Sequence, residues 1–334
     1  MKERKYIIAI ILLAGLLLAS CGGAGPADGA SDAEPPGSAG GSGRLNVVTT
    51  IFPEYDFARA VAAGTDAEVT LLIPPGTSVH SFDPSPQDVK TVQDADVFVY
   101  VGGESDVWAD QILAGIDTGG MQIVRLIDHV QTYEEELKEG MQEEEEEADA
   151  DANAAEEGAE ADEHVWTSPK NALVLLGVIA DAMGAADPGN ADAYGENAAA
   201  YAQELEAVDA EIEGVVASAG RKMIVVADKF PLRYFTEDYG LDYAAAFPGC
   251  SDQSDAGART IAYLIEAVGR EGLPYIYKVE LTNGNVAEAI AEETGAEVLE
   301  LNSCENLTKD DFDSGVTYVD LMRRNAAALE KGLN

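Results

Sequence analysis

The feature that most constrains the fold is an alternation between short β-rich apolar runs and segments with helical spacing. From Leu45 onward the apolar runs LNVVTTI, EVTLLI, DVFVYV and QIVRLI are separated by YDFARAVAA, PQDVKTVQDA and DVWADQILAGI. The pattern recurs in the second half, where MIVVA, LDYAAAF, YIYKVEL and EVLEL alternate with RTIAYLIEAVGR and NVAEAIAEETG. Strands buried on both faces read as continuous apolar runs, and interleaved helices supply the crossovers that parallel sheets need. The expected fold is α/β, with two lobes of parallel sheet flanked by helices.

One long amphipathic segment separates the halves. Residues 191–218 hold no proline and only two glycines, and Tyr201, Leu205, Val208, Ile212, Val215 and Val216 recur at helical spacing. This predicts a single helix of roughly seven turns joining the lobes, a link that limits hinge opening. The expected domains are therefore an N-terminal lobe over 45–190, the linking helix over 191–218 and a C-terminal lobe over 219–334.

The first twenty residues read as an export leader. Lys2, Arg4 and Lys5 precede the apolar run YIIAIILLAGLLLA, which is short for a membrane span. Leu18-Ala19-Ser20-Cys21 resembles a bacterial lipobox, with Cys21 as lipidation site and mature N-terminus; an ordinary signal peptide is the alternative. The Gly-, Ala-, Ser-, Pro- and Asp-rich stretch from Cys21 to residue 44 is then a flexible tether. These features place the protein outside the cytoplasm, anchored to the cell membrane by lipid. In that setting the remaining cysteines, Cys250 and Cys304, are expected to form a disulfide, with thiolate metal binding as the alternative.

The formal charge of −42 becomes about −44 without the leader, whose Lys2, Arg4 and Lys5 outweigh Glu3. Such a chain repels nucleic acid and anionic lipid and favours cations. Much of the charge lies in residues 134–163, which hold sixteen Asp and Glu and one Lys. Low apolar content predicts a mobile loop, either solubilising or a weak cation antenna.

Only three histidines occur. Neutral imidazole is a common ligand for transition metals. His80 sits in the proline-rich frame IPPGTSVHSFDPSP, which suits a rigid loop, and His164 lies in DEHVWTSPKNA directly before a helix. His129 has no comparable setting. Ligands of α/β sheets gather beyond the carboxyl ends of the strands. Five candidates fit that rule: His80, His164, Asp228 after MIVVA, Glu280 closing YIYKV, and Asn302 after EVLEL. Asp228 could instead cap a helix, Glu280 could pair with a cation, and Asn302 could cap a turn.

The stretches VVTTIFPEYDFARAV, EVTLLIPPGTSVHSFDPSPQDV, DADVFVYVGG, HVWTSPKNA, FTEDYGLDY and GVTYVDLMRRNAAALEKGL resemble, in order, the zinc/manganese-type solute-binding proteins of bacterial ABC importers. The resemblance covers nearly the whole chain from Leu45. It implies two α/β lobes, one linking helix, one divalent ion in a cleft between the lobes, and a His- or acid-rich loop before the second ligand. His80 and His164 match the first two ligands of that family. The third is usually His or Glu before an aromatic pair, where this chain offers Asp228 ahead of Tyr234-Phe235. The fourth is usually Asp after the last strand, where Asn302 stands, so Glu280 would supply the missing charge. Cys250 and Cys304 would hold the two loops beside the site.

Two imidazoles with one or two carboxylates suit tetrahedral Zn2+; more oxygen ligands would suit Mn2+, the alternative cargo. The expected function is capture of one such ion by a monomer and delivery to an ABC permease in the membrane. A metallohydrolase would need an open coordination position and a general base, and no HExxH or nucleophile elbow is present. A metal-stabilised surface adhesin is the remaining alternative.

Overall fold

A computed structural model of the chain describes residues 44–142, 161–251, 253 and 255–334. The leader, Cys21 and nearly all of the tether lie outside the described residues.

The first half builds a parallel sheet from β1 (Asn46–Thr49), β2 (Glu68–Leu71), β3 (Val97–Tyr100) and β4 (Gln122–Arg125), in the order β2-β1-β3-β4. Its crossovers are α1 (Phe52–Val61), α2 (Pro86–Gln93) and α3 (Val107–Gly115). The second half repeats the plan with β5 (Met223–Lys229), β6 (Asp242–Phe247), β7 (Tyr275–Val279) and β8 (Glu297–Leu301), in the order β6-β5-β7-β8, also parallel. Between the sheets the chain forms α4 (Pro169–Ala186) and the 28-residue α5 (Ala191–Ser218). The second half adds α6 (Arg233–Tyr239), α7 (Ala258–Glu271), α8 (Asn285–Thr294), α9 (Lys309–Asp313) and α10 (Tyr318–Gly332).

Local chemistry sets the ends of these helices. Ser85 caps α2 with Pro86 at its first position, and Ser168 accepts from the N–H groups of Lys170 and Asn171 at the start of α4. Gly240 ends α6 at φ 64°, the left-handed conformation that glycine adopts without a Cβ clash.

Helix α5 is about 42 Å long at 1.5 Å per residue and packs against α1, α4 and α10. Its apolar stripe, Tyr194, Tyr201, Leu205, Val208, Ile212 and Val216, is buried in a core cluster that draws on both halves of the chain. Helices α1, α4, α5 and α10 therefore share one apolar core, while α7 and α8, and α2 and α3, pack in two separate clusters.

The acidic stretch departs from the expected loop at both described ends. Glu134 and Ala161 form an antiparallel bridge. Glu136 pairs with Arg233 and accepts from the Tyr243 hydroxyl, Lys138 reaches Asp242 at 3.0 Å, and the Gln142 N–H donates to Ala246. Residues 134–142 are thus docked on the second half, because their charged groups find partners there. Asp162 and Glu163, at the other end, are buried.

Candidate metal centre

The two imidazoles come from the first half of the chain and are fixed by different partners. His80 follows β2 on its loop, and its Nδ1 lies 2.7 Å from Ser105 Oγ. Ser105 is in turn held by Glu163 through its N–H, at 3.0 Å, and its hydroxyl. His164 is fully buried, and its Nδ1 lies 3.0 Å from Asp162 Oδ1, which also accepts the His164 backbone N–H at 2.9 Å. A Cβ at Gly249 would sit 3.0 Å from His164 Cε1, so a side chain there would press on the imidazole. With each Nδ1 engaged, each Nε2 is left to face the same third group.

That group is Glu305, which sequence reasoning missed. Its Oε1 lies 3.5 Å from His80 Nε2 and 3.9 Å from His164 Nε2. These three atoms are all buried without a hydrogen-bond partner. A buried polar atom left without a partner costs about 1–3 kcal/mol, so three convergent ones mark a place built for something else. Tetrahedral zinc at bonds of about 2.0 Å holds its ligand atoms roughly 3.3 Å apart, close to the spacing found. His80, His164 and Glu305 each offer a ligand atom within 4.8 Å of the other two.

Several hydrogen bonds hold Glu305 in place. Its carbonyl accepts from Phe52 N–H at the start of α1. Asn306 donates to Pro74 and Thr77 on the loop that carries His80, and the Trp166 indole donates to Ser303 at 2.9 Å. The loop after β8 is thereby stitched to both histidine loops.

The electrostatics differ among the three groups. Burial holds the His80 pKa below the usual imidazole range, despite the opposing pull of Glu305. Burial acts the same way on His164, but Asp162 outweighs it and the net shift is upward. For Glu305, burial would raise the pKa, yet Lys229 and the two imidazoles outweigh it and keep the carboxylate ionised.

The other candidates are not members of this three-residue cluster, although Asp228 and Glu280 line the same cavity as Glu305. Asp228 accepts from the Thr282 hydroxyl at 2.5 Å, from Val279 N–H at 3.4 Å and from Lys229 N–H at 2.9 Å. It ties β5 to the turn after β7. At the end of β5 it is Lys229 that reaches Glu305. Glu280 accepts from the Ser303 N–H and hydroxyl, and burial raises its pKa to about 7. Asn302 is paired with Asn325 of α10 through its N–H and carbonyl, which anchors the end of β8. His129 is exposed.

The expected disulfide is not present: Cys250 and Cys304 are both free thiols. Cys250 lies with Glu163 and His164, whereas Cys304 is fully buried in the core, its Sγ directed at the Asn302 carbonyl. Burial, followed by nearby carboxylates, keeps both thiols protonated well above the usual thiol range. The signal for Glu305 was present in LNSCEN, as a carboxylate three residues beyond Asn302.

A chain with two parallel sheets that turns two imidazoles and a carboxylate toward one another has the make-up of a solute-binding protein for a divalent metal. The chain belongs to the ZnuA family, described as zinc-uptake complex component A, periplasmic, whose profile matches residues 47–332. It is 32% identical over 331 residues to the zinc-binding lipoprotein AdcA of Streptococcus pneumoniae, covering 98% of this chain and 61% of that protein. The chain thus spans about three fifths of that relative's length. It is 30% identical over 325 residues to the high-affinity zinc uptake system protein ZnuA of Bacillus subtilis, covering 97% and 96% of the two chains. Among solved structures, the Zn(II)-bound ZnuA-like domain of S. pneumoniae AdcA superposes with TM-score 0.71 at 30% identity, over 87% of this chain and 99% of that one. The metal-dependent lipoprotein YcdH of B. subtilis gives TM-score 0.73 at 27% identity, over 87% and 100%.

Proposed function

We propose that this protein captures one zinc ion outside the cytoplasm and hands it to an ABC-type permease. The observation that carries this reading is the convergence of His80 Nε2, His164 Nε2 and Glu305 Oε1, all buried and unpartnered. Their His2Glu chemistry suits a tetrahedral ion with a water or further ligand in the fourth position. The zinc-uptake names of the relatives and the Zn(II)-bound AdcA domain support the same cargo. It is a binding protein rather than an enzyme, as its family describes component A of an uptake complex.

Cys21 would carry the lipid, and residues up to 44 would hold the folded part off the membrane as a monomer. Release would follow small lobe movements at the permease, since α5 is a stiff joint and the Glu305 loop is bonded to both histidine loops. Titration of chelator-treated protein with zinc tests the reading. The wild type is expected to bind one ion tightly and His80→Ala to lose that site. Tight binding by the variant would remove His80 from the shell.

A further inference from the structure

Glu305 divides its two oxygens between different neighbours. Oε1 faces the imidazoles, while Oε2 lies 3.5 Å from Lys229 Nζ. Lys229 arrives from the end of β5 and is largely buried, with a side chain 17% exposed. Beside it is a cavity of about 360 Å³ whose lining includes Asp228, Lys229, Glu280 and Glu305. Asp228 and Glu280 are already engaged by Thr282 and Ser303, which leaves Glu305 as the carboxylate that Lys229 pairs with.

We propose that Lys229 is a specificity-determining residue of the metal site: its ammonium occupies Oε2 of Glu305, confines the carboxylate to one-oxygen coordination, and so favours zinc over manganese. This rests on the zinc-binding reading above. Zinc is satisfied by four ligands and takes a carboxylate through a single oxygen. Manganese prefers more oxygen ligands and loses more when the second oxygen is withheld. The same fixed charge opposes any divalent ion, which keeps affinity below what two imidazoles and a free carboxylate would give and eases release.

The test is a competition titration of Zn2+ and Mn2+ against wild type, Lys229→Met and Lys229→Arg. An ammonium about 6 Å from a doubly charged ion, at an effective dielectric of about 20, weakens binding about ten-thousandfold. Lys229→Met should therefore tighten zinc on that scale and tighten manganese by more, narrowing the preference between them. Lys229→Arg, which keeps the charge, should retain the wild-type preference. Lys229→Gln is a second uncharged variant of similar size, and melting of each metal-free variant checks the fold. Unchanged affinities in Met and Gln variants would overturn the proposal, as would equal tightening of both metals. Weaker zinc binding would also overturn it, by making Lys229 a ligand or a scaffold. Failure of the wild type to bind zinc would instead refute the function on which the proposal rests.

Discussion

The clearest handle on the site is Asp162, because it acts on the metal only through His164. Its Oδ1 lies 3.0 Å from His164 Nδ1 and 2.9 Å from the His164 backbone nitrogen. It therefore sets the tautomer with hydrogen on Nδ1 and directs the Nε2 lone pair toward Glu305. In Asp162→Ala both donors lose their acceptor in a fully buried setting. Loss of a carboxylate behind a metal-bound imidazole costs about 10–100-fold in affinity, or about 1.4–2.8 kcal/mol. The metal-free fold should lose a further 1–3 kcal/mol or about that, from the stranded backbone N–H. Asp162→Asn keeps an acceptor and should lie between the two. The assay is zinc affinity by chelator competition, with denaturant unfolding of metal-free protein alongside. Wild-type affinity in Asp162→Ala, with the fold intact, would refute the idea that this bond orients His164.

Glu280 gives a pH signature in metal-free protein: its folded pKa of about 7 lies above the ordinary 4.5, so its stabilising protonated form is fully present below about pH 4.5 and lost as pH rises through 7. A shift of that size is worth about 3 kcal/mol, and Glu280→Gln should flatten the fall in unfolding midpoint between pH 5 and 8 or thereabouts; parallel slopes would contradict it. Replacing residues 143–160 with a short Gly-Ser link should leave the tight zinc site unchanged and remove weak additional binding. Loss of the tight site would make that segment part of the metal shell.

Much of the architecture was legible because burial on both sheet faces writes itself as continuous apolar runs, and all eight predicted strands are present. The histidine pair was equally visible, since few residues offer that chemistry. The second half of the site was harder, for reasons of geometry. Asp228 and Lys229 are neighbours that line the same cavity, but Asp228 is bonded to Thr282 while Lys229 reaches Glu305, a division that a rule based on strand ends cannot make. Asn302 stands at the strand end as expected, yet its bonds to Asn325 spend it on anchoring, and the chain turns three residues further before Glu305 faces inward. The acidic run concealed Asp162 and Glu163, whose burial depends on Ser105 and His164, contacts that local composition does not reveal. Even cysteine number favoured a bridge that the separate surroundings of Cys250 and Cys304 do not make.

The central claim is that zinc is held by His80, His164 and Glu305 and not by Asp228 or Asn302. Parallel zinc titrations of Glu305→Gln and Asp228→Asn test it most directly. Glu305→Gln should lose the tight site while Asp228→Asn binds as the wild type does; tight binding by Glu305→Gln, with loss in Asp228→Asn, would contradict it.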